Sequence, residues 1–148
     1  MKNKLTVITK YILDVMFYGG MITILCVPVL YRLIMPYEKE VEEHYIPLCI
    51  IMMICGVLAV LIIHELRKIF RTVLADDCFV RDNVTSLRKM GNYSFGIAIV
   101  TLLRLFCYVN SAVFVILVVF VIAGLFSKVL SQVFDRAIGY KEENDLTI

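Results

Sequence analysis

The sequence predicts an all-α, polytopic membrane protein, a bundle of four transmembrane helices with cytoplasmic helical extensions. The chain has 148 residues, of which 61% are hydrophobic and only 19% are charged. A soluble domain has about half apolar and roughly a quarter charged residues. The apolar excess lies in long uncharged runs, which indicate a lipid bilayer rather than a large soluble core. The net charge is only +2, so we expect no direct binding of nucleic acid.

The first two apolar runs are each long enough to cross a bilayer. The first extends from about residue 11 to residue 33 and follows three lysines. It lacks a small-residue cleavage site, so we interpret it as a retained span rather than a signal peptide. The second extends over residues 46–63 without a charge. Both are close to the roughly 20 residues that cross about 30 Å of hydrocarbon.

The third apolar region is too long for a single span. Residues 93–127 contain one charge, Arg104, and one helix of that length would extend about 50 Å. The only polar pair inside the region, at positions 110–111, predicts a hairpin. We therefore expect a third span over residues 93–108 and a fourth over residues 112–126.

The basic residues predict the orientation of these four spans. Cytoplasmic loops are enriched in Lys and Arg, and four spans place twelve basic residues on one side and two on the other. We therefore expect both termini, the loop 64–92 and the tail 127–148 in the cytoplasm. A three-span alternative would weaken the asymmetry. The cytoplasmic set is Lys2, Lys4, Lys10, Arg67, Lys68, Arg71, Arg81, Arg88, Lys89, Lys128, Arg136 and Lys141.

The charges within the spans indicate no catalytic, metal or cofactor site. Asp14 lies about one turn past Lys10, near the inner interface, and Arg104 lies near the outer one. These depths argue against pairing, and each side chain is expected to reach its own surface. The five cysteines and two histidines lack metal-ligand spacing. No nucleophile or acid–base pair is recognisable, so we expect no enzymatic activity.

The second span is expected to continue as a helix beyond the membrane. Apolar residues within 66–74 follow the spacing of one helical face, with Glu65 and three basic residues on the other. The pair at 76–77 should end this helix. A second segment starts near Arg81 and reaches the third span at Gly91.

The fourth span also continues, in an apolar stripe over residues 130–138. Gly139 then predicts a helix end, followed by a polar tail whose last residues, 145–148, are either frayed or extended for sheet-edge binding. The apolar faces of these cytoplasmic helices have three alternative roles: they pack on one another, they lie in the lipid headgroup layer, or they bind a partner protein.

Two stretches, taken together, resemble one protein family. The loop before the third span has the form F-x3-N-x3-L-R-x2-G, and the chain ends in an acidic D-L-T-hydrophobic sequence. Both resemble the bacterial four-span membrane family of domain of unknown function 2975, the YoaS-like proteins. Residues 140–142 depart from its pattern, because an apolar residue is expected soon after the glycine. The matching residues are Phe79, Asn83, Leu87, Arg88, Gly91, Gly139, Glu143, Asp145, Leu146, Thr147 and Ile148.

The resemblance carries implications for function. The family has no assigned enzymatic activity, and its members are commonly encoded beside a small Xre-type helix-turn-helix transcription regulator. This implies a protein of the bacterial plasma membrane that holds or releases such a regulator, with the matching residues as candidate partner-binding positions. The alternatives are a structural subunit of a membrane complex and a small oligomeric transporter or channel. Transport would require Asp14 or Arg104 to face a wet cavity.

Overall fold

Four long α-helices make up most of the chain in the computed structural model, which describes residues 4–37, 39–107 and 109–147. Every regular element in that part of the chain is helical, so the all-α prediction is confirmed. A 3₁₀ turn, Met35–Tyr37, and one short helix lie between the first two long helices. The α-helices are α1 Lys4–Ile34, α2 Lys39–Glu43, α3 Tyr45–Leu74, α4 Arg81–Arg104 and α5 Ser111–Leu146.

The long helices pack in chain order and alternate in direction. The main packing partners are α1 with α3, α3 with α4, and α4 with α5. Near the α1–α3 connection, the Tyr45 hydroxyl donates to the Pro28 carbonyl over 3.0 Å. Below we call this end the far end. The opposite end, called the tail end, contains the start of α1, the α3–α4 connection and the end of α5.

Three of the described helices, α1, α3 and α5, are long and apolar enough to cross a membrane. They contain the first, second and fourth predicted spans. α4 is not among them, because its first three turns carry several charged side chains. Its uncharged run, residues 90–103, has 14 residues and extends about 21 Å, less than the roughly 30 Å of a hydrocarbon core.

The hairpin between α4 and α5 is longer than the sequence predicts. The Asn110 carboxamide oxygen accepts from the Ala112 amide over 3.0 Å and so begins α5. However, α4 ends at Arg104 rather than near residue 108. Residues 105–107 each donate to the carbonyl three positions earlier, which tightens the helix end into a turn. Residue 108 lies outside the described residues.

α3 ends where the sequence predicts, at a two-aspartate turn. The Asp76 amide donates to Val73 and the Asp77 amide to Thr72 over 3.2 and 3.1 Å. Asp76 has φ 58°, so these bonds form the left-handed closure that commonly ends helices. α4 then begins at Arg81 and passes through Gly91 without a break.

The predicted helix end at Gly139 is wrong. α5 continues through this residue to Leu146, and no described glycine has the positive φ of a left-handed helix end. The Thr147 hydroxyl donates to the Glu143 carbonyl over 2.8 Å. The ending, for which the sequence left a frayed and an extended form open, is therefore helical as far as Leu146. Ion pairs connect its extra turns, at Lys141 and Glu142, to Asp77 and Arg81. Ile148 lies outside the described residues.

Candidate functional site

Asn83 connects the end of α3 to the start of α4 at the tail end of the molecule. Its side chain is 1% exposed, and its amide nitrogen donates to the Thr72 hydroxyl over 2.6 Å and to the Cys78 carbonyl over 2.7 Å. The Asn83 backbone amide donates to the Val80 carbonyl over 3.0 Å. One motif residue therefore connects the end of α3, the connecting segment and the first turn of α4.

A buried carboxylate lies at the same end, and its burial was not predicted from the sequence. Glu65 is 5% exposed, and its carboxylate accepts from the Ser86 hydroxyl over 2.8 Å and from Lys68 over 3.1 Å. From the sequence, Glu65 was expected on the polar face of α3. The sequence did contain a signal for its burial. Glu65 lies four residues before Ile69, so helical spacing places both side chains on the face of α3 that packs inward.

A polar groove runs between the end of α3 and the start of α4. It has a volume of about 490 Å³, and Asn83 is among its lining residues. Among the described residues, no group of three His, Cys, Asp or Glu side chains is arranged to hold a metal ion. The mixed charges suit a charged or hydrogen-bonding partner surface. The charged lining residues are Glu65, Lys68, Arg71, Asp82 and Lys89.

Ion pairs connect the last turns of α5 to the α3–α4 connection. We call the set Asp77, Arg81, Asp135, Lys141 and Glu142 the ionic strap. The Arg81 guanidinium lies 2.8 Å from the Glu142 carboxylate and 2.5 Å from that of Asp135, and Lys141 lies 3.3 Å from Asp77. Hydrogen bonding to Glu142, and the charges of Glu142 and Asp135, raise the pKa of Arg81. Two strap residues belong to the stretch 140–142, where the sequence departs from the family pattern.

Two residues of the loop motif, Phe79 and Gly91, also contribute to the packing against α5. The rings of Phe79 and Phe134 lie 5.3 Å apart between centroids. At Gly91, a Cβ atom would lie 3.0 Å from Cγ of Lys128 and 3.2 Å from the Gly124 carbonyl oxygen. Glycine at this position therefore permits the two helices to approach closely.

The structure divides the motif residues into two groups. The residues before the third predicted span lie against neighbouring elements, and they are Phe79, Asn83, Leu87, Arg88 and Gly91. Three residues of the last turn of α5 are exposed beyond the strap, and they are Glu143, Asp145 and Leu146. A Cβ at Gly139 would meet nothing within 4 Å, and Thr147 closes the helix. Loop and tail thus meet at one end of the molecule, joined by the strap.

The two charges within the predicted spans have different surroundings. The Asp14 carboxylate lies 2.6 Å from Nε of Arg67, and the Arg67 guanidinium lies 4.6 Å from the centre of the Phe17 ring. Asp14 of α1 therefore pairs with Arg67 of α3, a contact that the sequence did not predict. Arg104 lies at the far end, beside a cavity between the four long helices.

Comparison with known proteins supports the family resemblance. A family model described as "Protein of unknown function (DUF2975)" matches residues 7–148. This range includes the loop motif, the strap and the tail. The comparisons with curated proteins and with solved structures found no match. Because the family model covers nearly the whole sequence, the chain belongs to the DUF2975 family, whose function is not established.

Proposed function

We propose that this chain is a non-enzymatic regulatory protein of a bacterial plasma membrane that binds a cytoplasmic helix-turn-helix transcription regulator. The observation that carries the proposal is the exposed last turn of α5. Glu143, Asp145 and Leu146 extend beyond the strap, and among the described residues the two carboxylates form no ion pair. Acidic side chains beside an exposed leucine suit a basic partner surface with an apolar centre.

The proposed topology has four spans with both termini in the cytoplasm. The distribution of basic residues supports it. α4 packs between α3 and α5, so its polar faces meet helices rather than lipid. The basic residues at both of its ends can reach the headgroups, which supports a span with a short apolar run.

A reporter fused after Ile148 tests this topology. A fluorescent protein that matures only in the cytoplasm should fluoresce there, whereas alkaline phosphatase at the same site should be inactive. Active phosphatase would place the C-terminus outside and overturn both the four-span count and the cytoplasmic binding surface.

The proposed mechanism is sequestration of the regulator at the membrane. A helix-turn-helix protein binds DNA through basic residues that neutralise phosphates. The acidic end of α5 would compete for that basic surface. A stimulus that favours a second arrangement of the helices, with lower affinity for the regulator, would release it.

A pull-down from native membranes in mild detergent tests the proposed partner. The variant combines Glu143→Gln, Asp145→Asn and Leu146→Ser, which leaves the strap intact. The matched control, Glu42→Gln with Glu43→Gln, removes acidic groups at the far end. We expect a helix-turn-helix protein, identified by mass spectrometry, with the wild type and the control but at least tenfold less with the tail variant. Recovery of no such protein, or equal recovery with the tail variant, would overturn the proposal.

A second candidate function, a small oligomeric transporter, is favoured by the position of Arg104 beside a cavity. Asp14 does not line that cavity. Transport of a toxic compound should then be lost in Arg104→Gln and retained in Asp14→Asn, measured as resistance of cells that express each variant. Unchanged resistance in Arg104→Gln would remove this candidate.

A further inference from the structure

We propose that the cavity between the four long helices binds a single-chain amphiphilic anion. Its acidic head group pairs with Arg104, and its apolar chain fills the cavity. The inference does not depend on the proposed regulator, because it rests on a different part of the molecule. It rests on the cavity itself and on the buried Nε of Arg104, which has no acceptor among the described residues.

The cavity has a volume of about 330 Å³ and receives side chains from all four long helices. Representative walls are Ile24 of α1, Val60 of α3, Ile97 of α4 and Phe120 of α5. Arg104 is its one charged lining residue among the described part of the chain. Such a mostly apolar space with a single placed polar group is typical of sites for small amphiphilic ligands.

Among the described residues, the Arg104 guanidinium has only one weak hydrogen-bond partner. Its Nε is buried and has no acceptor among the described residues. One terminal nitrogen lies 3.8 Å from the Met52 thioether sulfur, which is a weak acceptor. A buried N–H without an acceptor is unfavourable, and the planar guanidinium matches a carboxylate or phosphate with two parallel hydrogen bonds. An anion at this position would supply the missing acceptors.

The size of the cavity favours one chain. An apolar cavity of about 150 Å³ holds benzene, so a cavity about twice as large holds on the order of a dozen carbon atoms. A phospholipid with two long chains exceeds that volume. Arg104 lies at the far end of α4, and the apolar walls continue from it toward Gly20 and Val60 of the helix interiors. An amphiphile in a bilayer has the same arrangement, with its head group at the interface and its chain directed inward.

Binding of dodecanoate to the full chain in phosphatidylcholine nanodiscs tests the proposal. Dodecanoate displaces 11-(dansylamino)undecanoate, whose fluorescence reports occupancy, and empty nanodiscs correct for partition into lipid. We expect saturable binding to the wild type and roughly tenfold weaker binding to Arg104→Gln, since a charged hydrogen-bonded pair is lost. Dodecan-1-ol should bind the wild type and Arg104→Gln equally, which also shows that the variant retains its cavity.

Two further variants separate the head-group contact from the cavity. Ala59→Phe should block both dodecanoate and dodecan-1-ol, because Ala59 lines the cavity. Arg32→Gln removes another arginine at the far end, one that does not line the cavity, and should bind dodecanoate as the wild type does.

Three results would overturn the proposal. The first is equal affinity of wild type and Arg104→Gln for dodecanoate. The second is an equal loss of affinity in Arg32→Gln, which would indicate a general surface charge effect. The third is displacement of the probe by phosphatidylglycerol in the nanodisc but not by dodecanoate, which would identify a two-chain lipid as the occupant. If Arg104→Gln fails to fold, Arg104→Lys replaces it, with weaker binding of dodecanoate alone expected.

Discussion

At the scale of single residues, the motif asparagine has an evident structural role. Asn83 is fully buried and donates to two acceptors that belong to different segments. Such an arrangement stabilises a connection that has no strand or disulfide in its described residues. The motif therefore reflects, in part, how α3 is joined to α4.

Asn83→Ala should reduce the free energy of unfolding by about 1–3 kcal/mol, because the partly buried Thr72 hydroxyl and Cys78 carbonyl lose their donor. The measurement is thermal or denaturant unfolding of the full chain in nanodiscs. Asn92→Ala is the matched control, since Asn92 lies on the same helix and accepts one exposed hydrogen bond from Lys128. A change of similar size in both variants would contradict the role given to Asn83.

At the scale of helices, α4 is the central element and its contacts depend on small residues. A Cβ at Gly124 of α5 would lie 2.9–3.0 Å from three atoms of the Phe95 ring. Aromatic rings cannot move aside as a flexible chain end does. The distance between α4 and α5 is therefore set by glycine on one side and an aromatic ring on the other.

Two Gly→Ala variants of α5 should change stability in opposite directions. Gly124→Ala should destabilise the protein by about 1–3 kcal/mol through overpacking, which exceeds the roughly 0.5–1 kcal/mol that alanine contributes to a helix. Gly139→Ala should stabilise by about that smaller amount, since its Cβ would meet nothing within 4 Å. Midpoints of thermal unfolding check both, and stabilisation by Gly124→Ala would show that Phe95 yields without strain.

At the scale of the whole molecule, the ionic strap determines where the tail lies. Its pairs are exposed at the tail end, so each contributes little and salt screens it. Because pairing raises the pKa of Arg81, the stabilisation from these pairs is fully present below the pKa of an unfolded arginine and is lost only as the pH rises through the still higher pKa of the folded state, far above neutral pH. We therefore expect the strap to respond to salt but not to pH between 7 and 9.

Hydrogen exchange of residues 139–147 measures this response. Arg81→Gln should raise the exchange rate of this segment several-fold, as should a high salt concentration, while a rise from pH 7 to pH 9 should add only the intrinsic base-catalysed increase. Arg136→Gln is the control, because Arg136 is exposed and, in the described part of the chain, forms no ion pair. Equal exchange in Arg81→Gln and wild type would show that the tail helix does not need the strap.

The sequence predicted those parts of the site that depend on residues close to one another in the chain. Residues 66–74 form the helical extension that their spacing predicts, and the loop motif lies with the tail at one end. Glu65 was missed because its partner Ser86 is 21 positions away. The strap was missed for the same reason, since Arg81 and Glu142 are separated by 61 positions.

The sequence by itself determined the class of this protein, its long apolar helices and the helical extension over residues 66–74, because hydropathy and helical spacing act within a few turns. Only the tertiary structure decided how far α5 continues past Gly139, where α4 ends and which charges are paired. These features depend on which helix faces meet, and the free energy of an ion pair or a buried carboxylate is set by neighbours distant in sequence. Three of the four predicted spans lie in helices that are long and apolar enough to cross a membrane. The packing of the four long helices adds a cavity beside Arg104, whose buried Nε has no acceptor among the described residues, and no local pattern predicts this arrangement.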